Sequence, residues 1–347
     1  MRIRSFQQND ANAWDDYIMS HPEGTIFHLT QWKRVVDESF GHPSCYLLAE
    51  EAPSNGGRPR IVGVLPLVRI KSRLFGDSLV SVPFAELGGP VADSTEIAVA
   101  LLARAGEVAR EFGVDYVELK NTQGLADLPT KDLYVNFSKA IDPDPEVNLL
   151  AIPRKSRAVV RKALKSGLSA ETGHHLLPIF YEMMARSYHN LGTPIFPRRF
   201  FGKFLEVFGD KSDLLVVLSP QGKPIAAVLC FFFKDRVMPY YAGSLFEARA
   251  LGPNDFMYWE LMRRGCEAGY QVFDYGRSKV DTGSYSFKKH WGFEPKPLAY
   301  QYLLVGQKEM PNLSPTNPKY QKKIEMWRKM PFGLTKIVGP PLAKYLA

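Results

Sequence analysis

The chain reads as a mixed α/β (α+β) protein of two tandem domains whose sheets are mostly antiparallel. Three observations carry this expectation. The 347 residues suffice for two ordinary domains at roughly 150 residues each. The composition, 45% hydrophobic, 23% charged and 12% aromatic, is that of a folded globular protein rather than a disordered or fibrous one. The same succession of helix, apolar runs, helix and apolar run also occurs twice, which marks an internal duplication.

The repeat opens with Trp32 to Phe40-Gly41 and Phe200 to Phe208-Gly209, which are aromatic-led helical stretches stopped by glycine at an offset of 168. Each is followed by an apolar run (Tyr46–Ala49; Leu214–Leu218), a turn (Ser54-Asn55-Gly56-Gly57; Ser219-Pro220-Gln221-Gly222) and a second run (Ile61–Val68; Ile225–Phe233). These are two antiparallel hairpins. After a further strand, the first half shows a helix from Asp93 or Ser94 to Gly113, with Ile97, Leu101, Ala105, Val108 and Phe112 on one face. The second half shows one from Asn254 or Asp255 to Gly269. Strands Val114–Leu119 and Val272–Tyr275 follow at once, so a strand, helix, strand succession places one parallel pair in each sheet. Asp142-Pro143-Asp144-Pro145 interrupts the pattern. The expected division is 1–145, 146–305 and a proline-containing basic tail, 306–347.

Charge is unevenly placed. The net of +8 is concentrated in the tail, where Lys319, Lys322, Lys323, Arg328, Lys329, Lys336 and Lys344 face only Glu325. A second cluster, Arg154, Lys155, Arg157, Arg161, Lys162 and Lys165, contains no acid. Both suit anionic partners, and each also reads as a solvated helix face. In the tail, Trp327, Met330, Phe332, Leu334 and Ile337 interleave with the charges, which suits either adsorption to an anionic membrane or packing on the second domain. No run approaches the roughly 20 apolar residues of a membrane span, and Met1-Arg2-Ile3-Arg4 leads into polar sequence rather than an export signal. A cytoplasmic protein, peripheral at the inner membrane through its tail, is expected. Cys45, Cys230 and Cys266 are too few and too scattered for a disulfide framework or a thiolate metal site, and no metal is expected. Phosphate-loop, dinucleotide, serine-hydrolase and zinc-protease signatures are absent.

The repeated order of elements is characteristic of the GNAT acyltransferase architecture. In such a fold the turn before the long helix cradles a pyrophosphate on backbone N–H groups. Here that turn is Arg249-Ala250-Leu251-Gly252-Pro253-Asn254, matching the acyl-CoA pattern at Arg249 and Gly252, with Asn254 in place of a small residue. It reads equally as a plain turn and helix cap. The densest constellation is Phe273-Asp274-Tyr275-Gly276-Arg277-Ser278 followed by Thr282-Gly283-Ser284-Tyr285-Ser286-Phe287-Lys288-Lys289-His290-Trp291-Gly292-Phe293. Acyl transfer to an amine requires a close donor ester and positive charge where the oxyanion develops, which Lys288 suits, although beside Lys289 it also reads as a solvated surface lysine. Arg277 with Ser278 suits a phosphate or carboxylate, since arginine presents a planar fork. Asp274 suits an ion pair with Arg277 or a ligand.

This segment, with Tyr240-Tyr241-Ala242-Gly243-Ser244 and the Arg154 to Lys165 arm, resembles the FemAB/FemX family of peptidoglycan bridge-forming aminoacyltransferases. In detail it is similar to the branch associated with exosortase and exopolysaccharide gene clusters. The resemblance implies two tandem GNAT-like domains and transfer of an aminoacyl or acyl group to an amine of a cell-envelope or polysaccharide precursor. No tightly bound cofactor is implied; the co-substrate is aminoacyl-tRNA, held in part by the basic arm, or acyl-CoA. It implies catalytic roles for Phe287, Lys288 and Tyr241 and a precursor contact at Arg34; beside it, the residues themselves offer substrate contacts at Asp274, Arg277, Ser278 and Tyr285, and the acyl-CoA-like turn offers donor contacts at Arg249, Gly252 and Asn254. The competing readings are an acyl-CoA-dependent GNAT enzyme and a non-catalytic binder of anionic polymer or membrane.

Overall fold

A computed structural model describes residues 1–52, 59–73, 75–311 and 318–346, without the side chains of 318–320. The expected turn Ser54-Asn55-Gly56-Gly57 lies outside the described residues. Two compact units emerge: unit 1 is Met1–Tyr134, Pro297–Leu313 and Lys344–Ala347, and unit 2 is Val135–Lys296 and Ser314–Ala343.

Unit 1 runs β1 (Arg2–Ser5), α1 (Ala11–Ser20), α2 (Thr30–Phe40), β2 (Leu47–Glu51), β3 (Arg60–Leu65), β4 (Val68–Ser72), β5 (Gly76–Val80), β6 (Val91–Ala92), α3 (Thr95–Phe112), β7 (Tyr116–Asn121) and β8 (Thr130–Lys131). Unit 2 then takes β9 (Tyr134–Ala140), α4 (Pro145–Ala151), α5 (Arg154–Lys165), β10 (Ser169–Thr172), α6 (Leu177–Leu191) and α7 (Arg198–Phe208). It continues through β11 (Ser212–Leu218), β12 (Pro224–Phe233), β13 (Arg236–Ser244), α8 (Pro253–Glu267), β14 (Val272–Lys279), α9 (Gly283–His290) and β15 (Pro295–Pro297). The chain re-enters unit 1 as β16 (Ala299–Leu304), and α10 (Pro318–Lys329) and α11 (Phe332–Ala343) return to unit 2.

Local chemistry sets the element ends. Ser94 caps α3, its side chain accepting from the Ile97 N–H, and Gly113 stops the helix in the left-handed region at φ +62°. Leu101, Ala105 and Val108 are buried along α3 as the spacing requires, but Phe112 is exposed and instead covers the Arg69 guanidinium at 5.1 Å. The hairpins β2–β3 and β11–β12 are antiparallel. The strands after α3 and α8 lie parallel to β5 and β13, as strand–helix–strand order demands.

Unit 1 holds sheets ordered β1-β2-β3-β6 and β4-β5-β7-β16-β8, and unit 2 a seven-stranded sheet, β10-β11-β12-β13-β14-β9-β15. Strand β9 precedes Asp142–Pro145 in sequence yet completes the sheet of unit 2, while β16 pairs with β7 from Ala299↔Asn121 to Leu304↔Tyr116. Pro145, at the expected boundary, opens α4 inside unit 2. Pleat alternation divides unit 2 into two layers. Leu215, Val217, Val228 and Cys230 pack with Met257, Leu261 and Met262 of α8, while Phe231 turns to Phe204 and Phe208 of α7.

Candidate functional site

The site of interest is where β13 and β14 part. Their parallel pairing covers only Arg236↔Val272 and Val237↔Phe273, and none continues it among the described residues. Two local features produce the separation. On β13 the register against β12 slips between Leu229↔Tyr241 and Cys230↔Pro239, making Tyr240 the extra residue of a β-bulge, which bends a strand and re-aims its side chains. On β14, Gly276 takes φ +67°. Asp274 pulls the strand toward β9, its Oδ1 accepting from the Gly276 N–H at 3.0 Å and from Asn136 Nδ2 at 3.2 Å, with Oδ2 3.4 Å from Arg236 Nη1. Asp274 thus pairs with Arg236, not with the expected Arg277, and its carboxylate shapes the strand.

The bulge decides where Tyr241 points. Before it, Val237 faces α8, where a Cβ on Gly265 would come within 2.6 Å of Val237 Cγ2. After it, Tyr241 lies on the other face among Phe196, Phe200, Phe201 and Phe204, with ring centroids 5.2 to 6.3 Å away. Tyr241 is therefore brought into the α7 aromatic core, while Asp274, Arg277 and Ser278 lie on β14 and Tyr285, Phe287 and Lys288 on α9, which packs against it.

Lys288, buried on α9, reaches back to β14 and donates from Nζ to three successive carbonyls, Tyr275 at 2.7 Å, Gly276 at 3.0 Å and Arg277 at 3.0 Å. Its ammonium lies 5.6 Å from the Phe137 ring and 5.9 Å from that of Tyr275. Phe287 packs against Tyr258, Trp291 and Tyr275, and Tyr285 meets Phe137 edge-on at 5.5 Å. Ser278 and Tyr275 are each more than nine-tenths buried, and neither the Ser278 hydroxyl nor the Tyr275 hydroxyl has a hydrogen-bond partner among the described residues. Such groups cost about 1–3 kcal/mol each, so their presence calls for an explanation. Burial also raises the Tyr275 phenol well above its ordinary pKa, which keeps it a neutral donor.

The turn before α8 is engaged by the protein itself. Gly252 caps α8 at φ +67°, and a Cβ there would meet Val159 Cγ1 of α5 at 2.8 Å. Lys162 of the same helix donates to Ala250 O at 3.2 Å. Pro253 supplies no N–H, Asn254 is half-buried in the first turn, and Arg249 is exposed with its guanidinium 4.2 Å from the Phe246 ring. Beside them, Asp255 accepts from Trp291 Nε1 at 3.0 Å, and burial raises its carboxyl above the ordinary aspartate value. Its negative charge sits where a pyrophosphate would need positive potential.

Arg34 belongs to unit 1 and is exposed on α2, with Nε 2.7 Å from Glu38 Oε1. Unit 1 also holds a buried lysine outside the expected site residues. Fully buried Lys120 of β7 donates to the carbonyls of Val82 and Ala85, each at 3.1 Å, beneath a loop in which Val82 (φ 61°) and Phe84 (φ 60°) occupy the left-handed region. The dense Pro83…Gly88-Gly89-Pro90 pattern was the available signal. Among the described residues, no group of three or more His, Cys, Asp or Glu side chains is placed to hold a metal ion.

Residues 154–289 match the family described as an acetyltransferase (GNAT) domain. Among solved structures, the chain is similar to FemX at 17% identity, covering 88% of this chain and 98% of that one with a TM-score of 0.63. It is also similar to the C-terminal domain of a putative lysylphosphatidylglycerol synthetase from Agrobacterium fabrum (15% identity, 84% and 92% covered, TM-score 0.52). A tandem GNAT protein from the clavulanic acid biosynthesis pathway gives 13% identity, 89% and 99% covered, and a TM-score of 0.53. No curated protein matches the chain. At these identities the likeness is one of fold: a mixed, mostly antiparallel GNAT architecture with tandem neighbours.

Proposed function

We propose that the chain is an N-acyltransferase whose unit 2 holds an activated acyl donor between the parted strands β13 and β14 and passes the acyl group to an amine. The observation that carries this reading is the separation after Val237↔Phe273, flanked by the Tyr240 bulge and by two buried hydroxyls, Tyr275 and Ser278, that lack hydrogen-bond partners among the described residues. Past the separation, no pairing joins β13 to β14 among the described residues. A donor carbonyl whose oxygen becomes an oxyanion in the transition state suits strand-edge N–H groups at such a parting. The attacking amine forms the new C–N bond, the donor C–O or C–S bond breaks, and the amine proton leaves with solvent or the departing group. Lys288, its N–H bonds aimed at β14 carbonyls, acts on this reading by holding residues 275–277 in place with its charge beside them, and Phe287 walls the site. Arg277 and Tyr285 contact substrate near the same strand end. Tyr241 supports the wall from the α7 side, while Arg34 is an acceptor contact of unit 1.

The donor we favour is aminoacyl-tRNA. The turn from Arg249 to Asn254 is packed under α5, lacks the Pro253 N–H and has the Asp255 carboxylate in its first turn, which disfavours a CoA pyrophosphate. Helix α5 turns Arg154, Lys155, Arg161, Lys162 and Lys165 to solvent, a surface fit for an RNA backbone. The acceptor we favour is an amine of a cell-envelope or exopolysaccharide precursor, in keeping with the resemblance to the FemX family and its exosortase-associated branch. The place of action is then the cytoplasm, peripheral to the inner membrane.

The test offers the full-length protein aminoacyl-tRNA and acetyl-CoA in parallel, with amine-bearing envelope precursors as acceptors. Amide product from the tRNA ester, and no thermal stabilisation by acetyl-CoA, is the expected result. Ligand at 100 times its dissociation constant stabilises by about 2.7 kcal/mol, so a clear acetyl-CoA shift with acetyl transfer would replace the donor. Product from neither donor would overturn the enzymatic reading.

A further inference from the structure

Helices α10 and α11 of unit 2 both pack on α6, and α11 does so the opposite way round from an ordinary surface helix. Its buried positions are the small residues Thr335, Gly339 and Ala343, spaced at i, i+4 and i+8. Leu334 and Ile337 point outward, 44% and 72% exposed, with Pro341 exposed on the same face. The cause is close approach. A Cβ on Gly339 would meet Ile195 N at 3.0 Å and Ile195 O at 3.2 Å, so only small residues fit the inner face. Helix α10 buries Trp327 and half-buries Ile324, which leaves Lys322, Met326 and Lys329 at i, i+4 and i+7 on its outer face, Met326 being 69% exposed. Of the tail residues expected to meet a membrane, Trp327 is thus turned inward, and Phe332 is engaged by Arg186 and Lys336, each 4.8 Å from its ring.

We propose that this outer face docks peripherally on an anionic lipid surface, with Met326, Leu334 and Ile337 entering the headgroup boundary and Lys322 and Lys329 meeting lipid phosphates. The charges around the face agree. Lys322, Lys323, Arg328 and Lys329 are exposed on α10 against Glu325 alone, while Glu182 of α6 is neutralised by Lys336 at 3.1 Å and Arg186 at 2.9 Å. A second copy of the chain fits poorly, because a self-complementary contact sets Lys322 and Lys329 against like charges. A polyanion without apolar surface leaves the three large side chains uncovered. Among the described residues no helix is long and apolar enough to span a bilayer, so the association is one of adsorption. This deepens the peripheral placement proposed above and does not depend on the transfer chemistry.

The experiment is flotation of the full-length protein with phosphatidylglycerol–phosphatidylcholine vesicles and with pure phosphatidylcholine vesicles, without substrates. The wild type is expected to bind the anionic vesicles only, with partition falling at least tenfold in the double variant Leu334→Ser/Ile337→Ser. Lys322→Ala/Lys329→Ala should also lose about tenfold or more and become less salt-sensitive, as each basic residue near an anionic surface contributes about fivefold. Met326→Ser, at the exposed apolar position of α10, is a milder variant that keeps the idea open to refutation should the double variant unfold, and it should lose several-fold. Absence of wild-type binding, or equal binding by folded variants, overturns the proposal. So does a wild-type dimer in sedimentation that Leu334→Ser/Ile337→Ser dissociates. Because binding is read without turnover, a failed acyl-transfer assay and a failed flotation are separate results.

Discussion

Each unit contains a parallel strand pair, and the two pairs end differently. In unit 1, β5 and β7 stay paired over Ser78↔Tyr116, Leu79↔Val117 and Val80↔Glu118, and the Ser81 N–H continues the ladder to Glu118 O at 2.8 Å. Lys120, on β7 itself, then pins the next loop through Val82 O and Ala85 O. In unit 2 the pairing stops after two registers, and the buried lysine arrives from α9 to grip the end of β14 from outside the pair. A buried ammonium bound to backbone carbonyls thus occurs in both, closing one pair and leaving the other parted. On the proposed reading the parted pair of unit 2 is the one that takes a ligand, and residues 154–289 of that unit are the ones that match the acetyltransferase domain.

The largest test of this contrast exchanges each lysine for methionine, which keeps bulk and removes the donors. Lys288→Met should lower turnover about 100-fold, equivalent to about 2.7 kcal/mol of transition-state stabilisation, since it releases the strand end beside the donor. Lys120→Met should act mainly on folding. Two buried carbonyls lose their donor, an effect partly offset by relief from burying a charge, and the expected loss is about 2 kcal/mol in urea unfolding. The contrast would collapse if Lys120→Met abolished turnover at unchanged stability while Lys288→Met left it intact.

A smaller and sharper test uses the buried hydroxyls. Removing a polar atom that lacks a partner should stabilise the ligand-free protein, so Tyr275→Phe and Ser278→Ala are each expected to raise stability by about 1 kcal/mol. If these atoms await substrate, each should also lower turnover tenfold or more, a gain in stability at the expense of function. Unit 1 supplies the control. The Tyr46 hydroxyl is likewise buried without a hydrogen-bond partner among the described residues, its ring packed beside Trp14 and Phe6, and Tyr46→Phe should stabilise without touching turnover. Three equal activity profiles would remove the distinction between the units.

Much of this architecture was legible because helix period, caps and hairpins are local. Ser94 and Gly113 bound α3, and the runs before and after Gly222 pair as written. The placement of β9 in the sheet of unit 2 and of β16 in that of unit 1 was not legible, because a strand's apolar pattern says that it pairs without saying with what. The site divides similarly. Asp274, Arg277, Ser278, Tyr285, Phe287 and Lys288 lie within fifteen residues of sequence, so finding the segment found most of the constellation. Tyr241 depended on the bulge at Tyr240, which no residue type announces, and Gly252 on the approach of Val159 from α5. The unpartnered hydroxyls are a property of three-dimensional surroundings and have no sequence signal.

The smallest expected effect concerns the turn before α8, where unit 2 departs from a pyrophosphate cradle. Burial raises the Asp255 carboxyl above 3.8, opposed by the hydrogen bond from Trp291. A carboxyl whose folded pKa is raised binds its proton more tightly in the folded state, so it costs nothing below the unfolded value and destabilises progressively as pH climbs through the raised one. Asp255→Asn keeps an acceptor for Trp291 and has no proton to lose. Its melting temperature relative to wild type should therefore be near zero or slightly negative at about pH 3.5 and positive at neutral pH, rising by a few degrees at most. If the charge is also what keeps a pyrophosphate from this turn, the same variant should gain affinity for coenzyme A, whereas a pH-independent difference in melting temperature would show that the carboxylate is comfortably solvated and that packing under α5 alone closes the turn.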